Sequence, residues 1–371
     1  MAGLGAGGKA LVGIRLYDQD FKNDALGALW EISPNTQGFA DLGHVYGKPV
    51  IARLENRWVA ISGNGYGNAG GQPTLYVIDL ADGSLIKSIE AGPGDPLGGN
   101  GLSAPQVRIN SDGRALAAYA GDLQCRLWKF DLSGQISDWR VAFAGDPLFR
   151  AGIAANPNQS ITVQPVLMEH PQGGRLVLFG TGRFLEAADR LDTSVQTFYA
   201  VWDKPTGVGN LTYANLQAQA ILTESTLGNR NVRTVTANRV NWSSSSGQGW
   251  YLPLLHGTAR GERVIRNILV RGSRVLFNTS LIRAGADPCT STGGGWLMSV
   301  DSFSGGCCNP AIGFCPCDPS VEDCVCESGD PACKNIYCGQ EYNLSQTSHS
   351  LELVVGSGQC HFNRIMWRQL M

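Results

Sequence analysis

An all-β fold is what this sequence predicts. Three observations carry that expectation: a long internal repeat, short apolar runs closed by turn residues, and much glycine beside little charge. A repeat is sought first because a fixed period names the architecture. Each copy opens on an apolar-flanked proline: Pro49 in "GKPVIARL", Pro105 in "SAPQVRIN" and Pro165 in "VQPVLMEH". An apolar run ending in glycine follows, at Gly63, Gly121 and Gly180. Next comes an aromatic strand that ends in aspartate before a glycine turn, "LYVIDLADG" at Asp79, "LWKFDLSG" at Asp131 and "FYAVWDKPTG" at Asp203. A worn fourth copy is "VLFNTSL" with "WLMSVDSFSG" at Asp301, and a partial first copy is "ALVGIRLYD" with "LGALWEI" around Trp30.

Each copy reads as three or four short strands, since its apolar runs are rich in Val, Ile, Tyr and Trp and bounded by Gly, Asn, Asp or Pro. The aspartate caps the turn through its side chain, and the glycine takes positive φ. Four-stranded units carrying one such turn each are the mark of β-propeller blades. A β-sandwich would space its strands evenly, without a long period. The expected organisation is therefore one propeller domain over residues 1–371. A short helix is expected over "YANLQAQAIL", where Leu216, Ala220 and Ile221 share a face. Two closing strands are expected in "SLELVVGSG" and "NRIMWRQLM". The first apolar strand has no proline run before it, so the chain reads as the C-terminal part of a longer protein.

Composition narrows the functional classes. The 371 residues include 48 Gly, 43% are apolar and only 16% are charged, which suits a large buried core and many tight turns. A net charge of -2, with no long basic block, argues against bulk capture of nucleic acid or anionic membrane. No apolar run reaches the roughly 20 residues of a spanning helix, so no transmembrane segment is expected. "GLGAGG" spells a dinucleotide fingerprint, but a strand follows it where that loop needs a helix. No GxSxG elbow occurs. The histidines His44, His170, His256, His349 and His361 stand far apart and read as structural or surface residues. Trp30, Trp128, Trp139, Trp202, Trp250 and Trp296 read mainly as core. "ARGER" puts Glu262 where an adhesive Arg-Gly-Asp has its aspartate.

Eight of the 11 cysteines crowd one stretch: Cys307, Cys308, Cys315, Cys317, Cys324, Cys326, Cys333 and Cys338. That stretch, a Cys-rich insertion over 306–340, is poor in aliphatic residues and needs cross-links to hold it. Disulfides are the first reading. Zinc is the competitor, but Cys315-Pro-Cys317 and Cys324-Val-Cys326 lack the usual two-residue ligand gap. Disulfides imply oxidising surroundings, outside the cytoplasm.

The runs "YGKPVIARLENRWVAISGNGYGN", "LYVIDLADGSLIKSI", "YAGDLQCRLWKFDLS", "LFGTGRF", "RVLFNT", "DPC…GGGWLM" and "WRQL" together resemble the C-terminal propeller of the PilC/PilY family of type IV pilus tip-associated proteins. The resemblance implies a modified, quinoprotein-like propeller that is not an enzyme. It implies roles in pilus assembly, control of retraction, twitching motility and attachment to surfaces or host cells. Partners would be minor pilins at the pilus tip and a surface or host receptor. The location would be extracytoplasmic: pilus tip, periplasm or outer membrane surface.

The resemblance also implies a calcium clamp, Asp-x-Asn-x-Asp-x-x-x-Asp, in the loop before "YAGDL". Here Arg108, Asn110, Asp112 and Leu116 hold those positions, so Asn110 and Asp112 are the remaining candidate ligands. A hard cation wants six to eight oxygens, and this pair should hold calcium weakly at best. Cys125-Arg126 stands where the family commonly has Gly-Asn, which puts the local turn in question because glycine there permits positive φ. A quinone-dependent dehydrogenase is the rival reading, since some stack the quinone on a vicinal disulfide like Cys307-Cys308. That chemistry also needs calcium ligands and a catalytic aspartate, and no residue here can be singled out for the role.

Overall fold

The computed structural model describes residues 1–15, 27–95, 99–227, 230–244, 247–282, 293–306 and 339–343. The eight clustered cysteines, Cys289 and Cys360, and the two expected closing strands lie outside the described residues. Among the described residues the architecture is all-β, with strands joined by turns and short 3-10 segments and no α-helix. The chain divides into two compact units. The first comprises Met1–Thr181 and Val201–Ala214, the second Gly182–Ala200 and Asn215–Met371.

In the first unit each copy of the repeat becomes an antiparallel sheet or part of one. The copy opened by Pro49 forms a four-stranded sheet in the order Val50–Leu54, Arg57–Gly63, Thr74–Asp79, Leu85–Glu90. The copy opened by Pro105 forms a five-stranded sheet. Its path runs Gln106–Ile109, Ala115–Gly121, Arg126–Asp131, Arg140–Val141, with Phe149–Arg150 also paired to Arg126–Asp131. The third copy starts with the hairpin of Val166–Glu169 and Arg175–Gly180. The partial first copy is a three-stranded sheet of Ala2–Gly3, Leu11–Arg15 and Gly27–Ile32. Strand periodicity explains the core between sheets, because alternate residues face opposite sides. Val59, Ile61, Leu75 and Val77 pack with Trp128, Phe130, Trp139 and Val141, while Ala60, Tyr76 and Ile78 pack with Leu11, Trp30 and Phe39. All six tryptophans expected in the core are buried.

The glycines that close the apolar runs have a packing role. A Cβ on Gly63 would collide with the main-chain oxygens of Leu102 and Ser103, and one on Gly121 would strike Ile161. These are places where another piece of backbone crosses the strand end.

The second unit contains a seven-stranded sheet among the described residues. Its path is Ile221–Leu227, Arg230–Val235, Gly339–Asn343, Gly293–Asp301, Arg274–Asn278, Leu269–Arg271, with Leu281–Ile282 also on Gly293–Asp301. The fourth copy of the repeat is its Arg274–Asn278 and Gly293–Asp301 pair. Phe198, Trp250 and Phe277 stack in its core, with Phe198 and Phe277 centroids 4.0 Å apart.

The aspartate turns form as the repeat implies at three of four places. Asp79 Oδ1 accepts the Ala81 N–H at 2.9 Å, Asp131 Oδ1 the Ser133 N–H at 3.0 Å, and Asp301 Oδ1 the Ser304 N–H at 2.8 Å. Gly83, Gly134 and Gly305 take φ of 76°, 74° and 73°. Asp203 differs. Its carboxylate accepts the Tyr119 hydroxyl at 2.7 Å and pairs with Lys129 at 2.6 Å, and Gly207 is not left-handed.

The helix expected over 213–222 does not form. Tyr213–Asn215 makes a single 3-10 turn, Gln217–Ala218 pairs parallel with Gly249–Pro253, and Ile221 already belongs to a strand. Leu216 and Ile221 are buried as expected while Ala220 is exposed. Helical spacing over ten residues is weak support, and backbone pairing to a neighbouring strand outweighs it.

Candidate functional site

The loop that carries Asn110 and Asp112 is a tight turn between Gln106–Ile109 and Ala115–Gly121. Asn110 N–H donates to the Arg114 carbonyl at 2.9 Å, and Gly113, at φ 81°, returns its N–H to the Asn110 carbonyl at 3.0 Å. The Asn110 side-chain oxygen accepts two main-chain N–H groups, from Asp112 at 3.0 Å and Arg114 at 2.9 Å. Its two lone pairs are thus engaged within the turn. Arg108 and Asp112 are exposed, and Leu116 has no side-chain oxygen. The Asp112 carboxylate accepts the Asn110 amide at 3.5 Å, and one carboxylate does not match a cation that takes six or more oxygens, so these side chains do not fit calcium as arranged. Among the described residues, no group of three His, Cys, Asp or Glu side chains converges as a metal site.

Just past the same strand lies a buried polar centre that the motif search missed. Asp122 is fully buried. It accepts the Arg126 N–H at 2.9 Å, the Trp128 indole N–H at 3.0 Å and the Asn100 amide at 3.4 Å. Burial pushes its carboxyl above the usual range, although these donors oppose the shift. Asn64 ties the neighbouring segments together. Its amide donates to the Asp41 and Gln72 carbonyls, both at 2.7 Å, and its oxygen accepts from Thr74 at 3.1 Å and Leu102 at 2.9 Å. Satisfied networks of this kind hold loops rigidly.

Cys125 completes the turn that Asp122 starts. The residue sits at φ 68°, the left-handed conformation that glycine would accept freely. Its buried thiol is free, and burial, then the Asp122 charge, push it up to about 11. Cys125 therefore takes the left-handed conformation at the position where the resemblance expects glycine.

In the second unit Gly261, Glu262 and Arg263 of "ARGER" are buried. Arg233 grips Glu262 with both guanidinium nitrogens, at 2.7 and 2.9 Å, and lies over the Trp296 ring at 4.0 Å. Glu224 accepts from Arg233 and Arg260, each at 2.5 Å. Burial would raise the Glu224 carboxyl, but the two arginines outweigh it and hold it below its ordinary value. Arg263 donates to the carbonyls of Arg183 at 2.7 Å, Asp189 at 3.0 Å and Gly261 at 2.9 Å, which pins the 183–192 segment. Glu262 is thus an internal counter-ion and not a displayed recognition residue.

The described histidines also serve structure. His44 bonds the Gly5 carbonyl at 2.8 Å, His170 stacks on Trp202 with centroids 3.9 Å apart, and His256 stands 3.7 Å from Glu224. Trp58 is not among the tryptophans assigned to the core. Trp58 is 56% exposed and sits opposite Arg53 across two strands, beside exposed Ile51. Its position at the start of a strand, just after the "LENR" turn, was the available signal.

Comparison with known proteins agrees with the all-β repeat architecture. The family described as "PilY1 beta-propeller domain" matches residues 1–238. The type IV pilus biogenesis factor PilY1 of Pseudomonas aeruginosa is 38% identical over 342 residues, covering 82% of this chain and 28% of that protein. A homolog of that factor in Xylella fastidiosa is 34% identical over 330 residues, covering 82% of this chain and 22% of that protein. The chain thus spans between a fifth and a third of the length of these curated relatives. The crystal structure of the Pseudomonas aeruginosa PilY1 C-terminal domain superposes with a TM-score of 0.76 at 33% identity, covering 92% of this chain and 74% of that one. This chain belongs to the PilY1 family, through its β-propeller domain.

Proposed function

We propose that this protein is a non-enzymatic component of the type IV pilus tip whose propeller is a rigid interaction scaffold. Its roles are pilus assembly, control of retraction, twitching motility and attachment to a surface or host cell. The observation that carries the reading is the family match over residues 1–238, joined to relatives that are type IV pilus biogenesis factors. Support for a scaffold comes from the acidic side chains: Asp79, Asp131 and Asp301 close turns, Asp122 anchors a core tryptophan and Glu262 neutralises a buried arginine. The domain is a single quinoprotein-like propeller over 1–371 whose Cys-rich insertion, 306–340, is disulfide-linked and forms the variable contact region. Loops on a rigid frame are where recognition concentrates. Minor pilins and a surface or host receptor are the partners, outside the cytoplasm.

The test is deletion of residues 307–338 from the full-length protein, scoring surface pili and adhesion separately. Pilus number is expected to hold while adhesion falls. Unchanged adhesion removes the insertion from the contact surface, and normal piliation after deletion of the whole propeller refutes the scaffold role.

A further inference from the structure

Within the first unit, two strand edges flank a cleft of about 470 Å³. One edge is Leu85–Glu90, the last strand of its four-stranded sheet, and the other is Arg140–Val141. Ala91 N–H reaches the Pro73 carbonyl at 2.8 Å, which sets the alternation of the ladder. Ile89 and Lys87 bond across to Leu75 and Val77, so Ser88 and Glu90 direct their main-chain N–H and C=O away from the sheet. Both residues line the cleft. An edge left unpaired among the described residues is a template for another strand.

Three further features of the cleft are independent of that edge. Its apolar lining includes Ile89, Trp139 and Val141, all buried and part of one core cluster. Trp139 is 5% exposed, yet its indole N–H has no acceptor among the described residues. A buried donor left so is destabilising, and an incoming carbonyl would relieve it. The wall formed by Ala144 and Gly145 is a run of left-handed backbone, with φ 54° at Phe143, 57° at Ala144 and 95° at Gly145. Two consecutive non-glycine residues in that region are costly, and such strain gathers at ligand contacts. Finally, the cleft presents two cations, Lys87 and Arg140, against one carboxylate, Glu90.

We propose that this cleft docks an extended, acidic peptide segment of a partner protein, which adds as a strand to the free edge of Leu85–Glu90. Main-chain bonds to Ser88 and Glu90 give the pairing, an aliphatic side chain covers the Ile89–Trp139 floor, and an acidic side chain meets Lys87 and Arg140. The inference stands on the geometry of the first unit and does not depend on the pilus role.

The probe is the peptide acetyl-Thr-Val-Asp-Val-Thr-amide, titrated into the ¹⁵N-labelled chain while the Trp139 indole N–H resonance, assigned through Trp139→Phe, is followed. The resonance should move downfield and saturate, and replacing the central aspartate by lysine should weaken binding about tenfold or more. Ser88→Pro removes an outward N–H without breaking a ladder bond, so it should abolish binding in a protein whose spectrum is otherwise native. Joint Lys87→Glu and Arg140→Glu should invert the preference toward the lysine peptide. No movement of the indole signal at about 5 mM peptide, a level that detects even millimolar affinity, overturns the proposal. So does equal binding by a folded Ser88→Pro. Should that variant unfold, the charge-reversed protein decides, and an unchanged preference for the acidic peptide refutes the docking mode.

Discussion

Trp250 covers Gly305: the indole N–H donates to the Ser302 carbonyl at 2.8 Å, and a Cβ on Gly305 would enter the six-membered ring. Trp30 treats Gly83 the same way, donating to the Leu80 carbonyl at 3.1 Å. In both places the carbonyl follows the turn aspartate, Asp301 or Asp79, and the glycine is four residues beyond it. The turn and the tryptophan are thus one packing unit.

Gly305→Ala should therefore destabilise the protein by roughly 2–4 kcal/mol, combining a left-handed alanine with overpacking against an aromatic ring. Urea unfolding monitored by tryptophan fluorescence measures it. A loss near zero would mean that the ring has room to yield.

The Arg233–Glu262 pair predicts asymmetric costs. Glu262→Ala leaves a fully buried guanidinium short of its main partner and should cost about 3–5 kcal/mol. Arg260→Ala removes a partly exposed partner of Glu224 and should cost no more than about 1 kcal/mol. Parallel denaturant titrations of the two variants settle the order.

Asp122 predicts a pH dependence. Its folded-state carboxyl titrates above the ordinary value, so between the two values the native state holds a proton that the unfolded state has lost. Its contribution is then largest below the ordinary carboxyl range and declines as pH rises through the raised folded value. Asp122→Asn puts an amide N–H among three donors and should destabilise by about 1–3 kcal/mol. The gap between wild type and variant should be widest at acid pH and narrow on going alkaline. Stability curves at several pH values check the slope.

Cys125 is predicted to be both strained and inert. Cys125→Gly should change stability by less than about 1 kcal/mol, because relief of the left-handed backbone offsets the flexibility gained by the unfolded chain. Cys125→Val, branched at Cβ, should cost more than about 1 kcal/mol. With the thiol pushed up to about 11, peptide mapping after iodoacetamide at neutral pH should find Cys125 unlabelled until denaturant is added.

The Asn110 turn gives the calcium prediction. Asn110→Ala should cost about 0.5–2 kcal/mol through loss of two side-chain to backbone bonds, and Asp112→Ala much less. Calcium calorimetry should show no heat that depends on Asp112. A tight, Asp112-dependent signal would overturn the reading of this loop as a turn.

Strands, turns and the all-β class were legible in residue order because they rest on local chemistry. Proline opens a strand, alternation sets its faces, and aspartate with glycine closes the turn within five residues, as at Asp79–Gly83 and Asp301–Gly305. The turn at Cys125 stayed open in residue order, because cysteine stands where the resemblance expects glycine, and only the structure decided that it is left-handed. Local rules failed at Asp203, where Tyr119 and Lys129, far away in sequence, compete for the carboxylate. They failed over 213–222, where strand pairing replaced an expected helix turn. Only the tertiary structure decided that Glu262 faces Arg233, that Asp122 meets Trp128 in the core, and that Leu85–Glu90 keeps one edge free among the described residues. Those outcomes depend on which distant groups burial brings together, a long-range consequence of packing that neither spacing nor composition encodes.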